Sequence, residues 1–246
     1  MTIALAEILL LTLLGPLIGS CLGLLTLRLP AGRPVGAVRS ACGGCGRKLG
    51  LLDLAPVISW LALRGRCRTC ASPIPLRYPL LEVACGVIGL WSALMFDGPL
   101  AAAGAVFGWG LLLIAIIDAE HFWLPHRLTV PLLVAGLLAA ASLQPESLAG
   151  RLIGAAVGWA ILALLAAGYR RLRGRDGLGG GDAMMLGALG AWVGWQGLPS
   201  VLLLAALLGL VAAVTQRKFR ADARMPFGTL MAPAAWIVWL YGPLGL

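Results

Sequence analysis

The sequence predicts an all-α polytopic membrane protein of about eight transmembrane helices, with a small zinc-binding cytoplasmic domain inserted after the first helix. Three observations carry that expectation. Of the 246 residues, 60% are apolar and only 12% are charged, whereas about a quarter of a soluble globular domain is charged. Apolar stretches close to the roughly 20 residues that cross a bilayer recur along the chain. Residues 29–79 break that pattern with Pro, Gly, Arg and four cysteines. The net charge of +9, from 19 Lys+Arg against 10 Asp+Glu, would point to nucleic acid in a soluble domain. Here its distribution reports topology instead, and no nucleic-acid partner is expected.

The expected spans are 3–27, 80–97, 100–118, 128–144, 148–169, 183–198, 199–216 and 227–244. "DGP" near residue 97 and "QGLPS" at 196–200 are the turn signals that separate adjacent spans. Nine basic residues lie between Arg28 and Arg77, Arg127 follows the third span, Arg170, Arg171, Arg173 and Arg175 follow the fifth, and Arg217, Lys218, Arg220 and Arg224 follow the seventh. Arg151 alone falls on the other side. The positive-inside rule then puts both termini outside and every large loop in the cytoplasm. No basic residue precedes the first span and Arg28 follows it, so it reads as a retained helix rather than a cleaved signal peptide. The expected domains are 1–28, a first transmembrane helix; 29–79, a cytoplasmic tetracysteine domain; and 80–246, a seven-helix membrane domain.

The inserted domain carries "CGGC" (Cys42, Cys45) and "CRTC" (Cys67, Cys70), pairs separated by 21 residues. A two-residue gap lets both thiolates of a pair reach one ion from a tight turn, and two such pairs make a closed tetrahedral zinc site. Two disulfides are the competing reading, disfavoured by a reducing cytosol. A segment of about fifty residues with few aliphatics buries little core, so the ion is expected to be needed for folding. Cys21 and Cys85 lie within spans and read as packing residues.

Glu7, Asp97 and Glu146 sit at outer helix ends, where water solvates them. Asp118, ending the third span, and Asp182, opening the sixth in "GLGGGDAMMLGALGAWVG" (Gly177 to Gly194), both fall at the cytoplasmic face. A carboxylate near hydrocarbon costs roughly 2.5–3.5 kcal/mol on insertion scales, which a mere scaffold has no need to bear. Two carboxylates that cannot both ionise when close form an acid and base pair able to activate water and protonate a leaving amide. Gly177, Gly179 and Gly181 are then expected to form a substrate loop, through positive φ angles and close backbone approach. The alternatives for Asp182 are a helix N-cap or a proton or ion pathway. His121 and His126 read as solvated groups near helix ends. Trp123, Trp192 and Trp195 read as interface anchors, and the arginines at 170–175 as topology and anionic-lipid contacts.

The whole chain resembles the type IV prepilin peptidases of bacterial inner membranes. The resemblance is carried by "GPLIGSCLGLLTLRLP" (15–30), "ACGGCGRKLGLLDLAPVISWLALRGRCRTCASPIPLRYPLLEV" (41–83), "IDAEHFWLPHRLTVPLL" (117–133), the glycine-rich segment at 177–194 and "MPFG" (225–228). It implies catalytic Asp118 and Asp182, 64 positions apart, and cleavage just after a glycine that ends the short basic leader of prepilins or of type II secretion pseudopilins. It also implies N-methylation of the new amino terminus with S-adenosylmethionine, an activity associated with the tetracysteine domain. Gly65 in "LRGRC" matches a position implicated in that second activity, and Glu82 in "RYPLLEV" is a candidate for the same site. No nucleotide-binding glycine fingerprint follows from the residues themselves. The chain departs from the family's usual pattern at His126, Met184, Cys21 and Gly23, where aspartate, lysine, phenylalanine and asparagine are usual. A peptidase without methyl transfer, and a non-enzymatic scaffold of a secretion complex, are the alternative readings.

Overall fold

The computed structural model describes residues 2–36, 40–174, 179–215 and 226–245. Eight helices account for nearly all of its regular structure: α1 (Thr2–Arg28), α2 (Ile58–Ala62), α3 (Arg77–Met95), α4 (Pro99–His121), α5 (His126–Leu143), α6 (Leu148–Arg173), α7 (Gly180–Thr215) and α8 (Phe227–Tyr241). There is no strand among the described residues, only two isolated bridges in the cysteine-rich segment. Six helices, α1 and α3 to α7, are long and apolar enough to cross a membrane, and α8 is a shorter apolar helix. Exposed leucines such as Leu13, Leu164 and Leu210 stud their outer faces, as a hydrocarbon surround allows.

The expected count of eight spans is not reproduced as drawn, because the junction between 183–198 and 199–216 falls elsewhere within α7. No turn forms at "QGLPS". The break lies earlier, at Gly194 with φ 71° and ψ 173°, a region that only glycine enters without strain. Pro199 follows about one turn later, near the start of the second half, where its missing N–H costs least.

The chain divides into two compact units, Met1–Trp109 and Gly110–Leu246, with the boundary inside α4. In the first unit α1 and α3 pack antiparallel through small residues. A Cβ on Gly15 would lie 2.4 Å from the Cys85 carbonyl oxygen, one on Gly19 would lie 2.5 Å from that of Leu81, and one on Gly89 would lie 2.3 Å from that of Leu11. Such stripes let helix backbones approach where hydrocarbon gives no hydrophobic drive for association. Gly23 continues the stripe, with the Tyr78 ring 2.9 Å from where a Cβ would stand. That contact gives the departure from asparagine a local reason. Trp109 Nε1–H donates to the Cys85 carbonyl at 2.9 Å. Glu7 proves to be more than a solvated group, since it accepts the Gly98 N–H at 2.9 Å and so ties down the turn before α4.

In the second unit α6 packs on α7 in the same manner, with a Cβ on Gly190 falling 2.1 Å from the Gly154 carbonyl oxygen. Trp192 is fully buried rather than an interface anchor. It fills the space left by Gly136, donates to the Leu132 carbonyl at 2.8 Å and meets Trp239 edge to face. Trp123 and Trp195 are exposed, as anchors would be. Arg151 is buried, bonded to Gln144 and stacked 5.2 Å over the Trp239 ring.

Candidate functional sites

The second unit brings its two inward carboxylates to helix ends that converge on one loop. Asp118 lies in the last turn of α4 and is buried. Helix α4 closes through Phe122, whose N–H bonds to the Asp118 carbonyl at 2.8 Å and whose φ of 50° is the left-handed value usually reserved for glycine. That turn delivers Leu124 to the centre of the site. A Cβ on Gly181 would sit 2.6 Å from Leu124 Cβ and 2.8 Å from its carbonyl oxygen, and one on Gly228 would sit 2.9 Å from a Leu124 methyl and 3.0 Å from Asp118 Oδ2. Gly181 and Gly228 therefore both contact Leu124, Gly228 also contacts Asp118, and Asp182 follows Gly181 directly. Asp118 and Asp182 lie close enough for the charge of one to act on the other.

Each carboxylate is held by a helix N-terminus. Asp118 Oδ2 accepts the Thr229 N–H at 2.8 Å and the Gly228 N–H also acts on this carboxylate, so it satisfies the first turn of α8 from a different helix, as an N-cap side chain would from its own. The Thr229 hydroxyl lies 2.9 Å from the Ala115 carbonyl and 3.3 Å from Asp118 Oδ2. Its single proton goes to the nearer acceptor. Asp182 is the third residue of α7 and its carboxylate reaches back to the N–H of Gly179, while its own N–H donates to the Gly179 carbonyl at 3.1 Å. This is the reach of a capping box. The capping role weighed for Asp182 is thus present, performed from inside the helix, alongside its half-exposed position beside Asp118.

Of the three loop glycines, Gly177 lies outside the described residues. Gly179 and Gly181 do not adopt positive φ, so the expectation of left-handed backbone fails there. What Gly181 supplies is space against Leu124. His121 and His126 are exposed, and His121 lies 3.9 Å from Glu120. Thr229 was not legible as a partner of Asp118. The only local signal is a hydroxyl in "PFGT" at the mouth of an apolar helix.

The first unit contains the cysteine cluster. All four side chains are free thiols, which excludes the disulfide reading, and their Sγ atoms lie within 4.8 Å of one another. Cys42 and Cys70 Sγ are 3.7 Å apart, and a tetrahedral ion with bonds of about 2.3 Å to sulfur spaces its ligands by roughly 3.8 Å. Two matching knuckles present the thiols. Cys42 N–H bonds to the Arg47 carbonyl and Gly46 N–H to the Cys42 carbonyl; at an offset of 25 residues, Cys67 N–H bonds to Ser72 and Ala71 N–H to Cys67. Gly46 and Ala71 take left-handed φ of 70° and 56° at equivalent places. Backbone N–H groups of Cys70 and Thr69 lower the Cys67 thiol to about 6. The N–H of Ser72 pulls Cys70 down, but desolvation and the neighbouring thiols outweigh it and push Cys70 up to about 11. One thiolate thus forms readily and further ones need a cation beside them, which is the chemistry of a metal site. Asp53 ties the two knuckles, pairing with Arg47 at 2.7 Å and Arg68 at 3.4 Å.

Between the knuckles and the adjoining ends of α1 and α3 lies a cavity of about 470 Å³, within the range of roughly 300–1,000 Å³ common for small-molecule sites. Glu82 lines it, as do Trp60 and Tyr78. Glu82 is buried; its Oε2 accepts the Val57 N–H at 2.6 Å, and Ser20 is a further hydrogen-bond partner. Val57 has φ 60° and ψ −50°, and Ile58 N–H returns to the Pro56 carbonyl at 2.5 Å. This is a γ-turn of the rare, strained hand, on a β-branched residue for which positive φ is an outlier. Gly65 does not line the cavity. Its φ is 69°, and a Cβ there would sit 2.8 Å from the Trp60 ring, so it bears on the cavity by letting Trp60 lie where it does.

These features define a class: a multi-pass membrane protein with paired carboxylates at converging helix ends and a cluster of four thiols that could hold a metal ion. Residues 105–214 match the type IV leader peptidase family, and residues 13–96 match the bacterial peptidase A24 N-terminal domain. The chain is 40% identical over 219 residues to a prepilin leader peptidase/N-methyltransferase of Burkholderia pseudomallei (strain 1026b), covering 87% of this chain and 71% of that one. It is 39% identical over 208 residues to the protein of the same name from Aeromonas hydrophila, covering 83% and 72%. A third, from Stutzerimonas stutzeri, is 38% identical over 226 residues, covering 88% and 78%. The chain belongs to the type IV leader peptidase family. No solved structure matches it.

Proposed function

We propose that this protein is a membrane aspartyl endopeptidase that removes the basic leader of type IV prepilins or type II secretion pseudopilins, cutting after glycine on the cytoplasmic side, and that it methylates the newly exposed amino terminus using S-adenosylmethionine. The observation that carries the peptidase reading is that Gly228, in contact with Asp118, and Gly181, the residue before Asp182, both meet Leu124, with each carboxylate near enough to feel the other. Membership of a leader peptidase family supports it. The names borne by the relatives support the methyl transfer.

In this reading a water molecule lies between the two carboxylates. The ionised one takes a proton from the water as its oxygen attacks the glycine carbonyl, and the protonated one gives its proton to the leaving nitrogen as the C–N bond breaks. The first turn of α8 fixes Asp118 in position, and the Gly179 N–H fixes Asp182. The glycine-rich entry to α7 leaves Gly179 and Gly180 exposed, where an extended substrate reaches them.

Zinc is the ion we assign to Cys42, Cys45, Cys67 and Cys70, on the fit of the sulfur spacing. Four protein ligands leave no open position, so its role is to fold the domain. S-adenosylmethionine would supply an electrophilic methyl group in the cavity lined by Trp60, Tyr78 and Glu82. The protein resides in the bacterial inner membrane with both termini periplasmic and the zinc domain cytoplasmic, in contact with anionic lipid; the distribution of arginines supports this orientation.

The test is cleavage of a co-expressed prepilin in membranes, with intact mass of the product. Asp118→Asn and Asp182→Asn should each lower processing by about 10²–10⁴-fold or more while the protein remains folded in the membrane. Normal processing by either variant overturns the dyad. Wild-type product lacking the mass of one added methylene would leave a peptidase without methyl transfer.

A further inference from the structure

The cavity of the first unit has an uneven distribution of charge. Arginines 28, 33, 47 and 68 stand around it, and two carboxylates, Asp53 and Glu82, line it. Asp53 is committed to Arg47 and Arg68. Glu82 has no arginine or lysine partner among the described residues; its bonds come from a backbone N–H and from Ser20. Burial of an anion without a counter-charge is costly unless something offsets it. The protein also holds a β-branched residue in a strained γ-turn so that its N–H reaches Glu82 Oε2. The glycine stripe of α1 brings Gly19 against the Glu82 backbone, and Ser20 is the residue beside it.

We infer that Glu82 is the receptor of a cationic amine: Val57 anchors Oε2, Ser20 bonds the same carboxylate, and Oε1 is the oxygen that binds the newly exposed N-terminal ammonium of the cleaved substrate in the cavity and takes its proton. This rests on the methyl-transfer reading above and names the residue that prepares the acceptor. The N–H bond of the ammonium breaks, its proton passes to Oε1, and the electron pair stays on nitrogen, leaving a neutral amine able to accept a methyl group. A sulfonium methyl donor supplies that group, its C–S electron pair returning to sulfur. Trp60 and Tyr78 provide the apolar wall against which the first side chain of the substrate lies. The arginines suit a carboxylate-bearing donor in the same cavity.

The experiment uses the full chain in nanodiscs without any methyl donor, and two apolar peptides of one sequence, one with a free α-amino group and one N-acetylated. Wild type should bind the free amine about 10- to 100-fold more tightly, the fold-change of a hydrogen bond to a charged group. Glu82→Gln, which keeps an acceptor for the Val57 N–H, should bind both peptides equally, process prepilin at the wild-type rate, retain its metal and yield unmethylated product. A second measurement needs no variant: carbodiimide coupling of the free-amine peptide to wild type should place the adduct on Glu82. Preference for the free amine in Glu82→Gln, its absence in wild type, or an adduct map without Glu82 each overturns the inference. If wild type prefers the free amine but yields unmethylated product in cells, the amine site stands and the methyl-transfer reading falls. If wild type methylates and Glu82→Gln methylates equally, that reading stands and the amine site falls.

Discussion

Gly181→Ala is a one-carbon change whose cost follows from two distances. The added Cβ would meet Leu124 Cβ at 2.6 Å and the Leu124 carbonyl oxygen at 2.8 Å, whereas carbon atoms rest about 3.5–4.0 Å apart. Because one of the opposing atoms is backbone, rotation of a side chain cannot relieve the contact. The loop carrying Leu124 must withdraw from α7 by about 1 Å, and Leu124 is also in contact with Gly228, which supplies a bond to Asp118. Overpacking of this kind costs about 1–3 kcal/mol, against a typical stability of about 5–15 kcal/mol, so the protein should still fold. Catalysis is less forgiving, since a displacement of about 1 Å at reacting groups costs on the order of 10²-fold. Gly168→Ala in α6 is the matched control: its Cβ would have nothing within 4 Å, and alanine favours a helix by roughly 0.5–1 kcal/mol. The assay is initial-rate cleavage of a prepilin in membranes at equal enzyme levels. Equal rates for the two variants would refute the reasoning, because they would show that space at Gly181 does not set the carboxylate geometry.

Elemental analysis should find one zinc per chain, and Cys42→Ser or Cys70→Ser should remove it, together with methyl transfer, while leader cleavage persists; zinc-free wild type with freely titrating thiols would sink the assignment. Asp53 titrates below the ordinary aspartate range because the Gly50 N–H, and then Arg47 and Arg68, favour its charged form against the cost of desolvation. A group depressed in this way stabilises the fold above its unfolded pKa, and that contribution is lost as pH falls through the folded value. The protection against hydrogen exchange across 40–76, taken relative to the intrinsic exchange rate at each pH, should therefore fall more steeply on acidification in wild type than in Asp53→Asn, and equal slopes would count against the clamp.

What could be read from the sequence was local or compositional. The apolar runs placed the membrane helices, and the paired cysteines located the four-thiol cluster because two-residue spacing is a local turn. Asp118 and Asp182 stood out because charge beside hydrocarbon is expensive wherever it occurs. The failures had equally definite causes. "QGLPS" carries the usual signals of a turn, yet the break formed at Gly194, where a lone glycine could take a conformation closed to its neighbours. Trp192 looked like an interface residue until Gly136, on another helix, was seen to leave room for its indole. Thr229 lies 111 positions from Asp118, and no periodicity encodes a helix end that caps a side chain so distant. The strained Val57 is likewise explained by Glu82, 25 residues away.

The matching backbone of the two cysteine knuckles bears on the order of assembly. Each pair of thiols is presented by its own turn, and the backbone hydrogen bonds that close the two turns are equivalent. An incoming ion can be captured by either pair first, held in a half-built shell with two exchangeable positions, and then enclosed when the second knuckle swings onto it. Loading thus has two interchangeable beginnings and a single end state, so disabling one turn slows only one of the two routes, whereas loss of any one sulfur prevents closure of both.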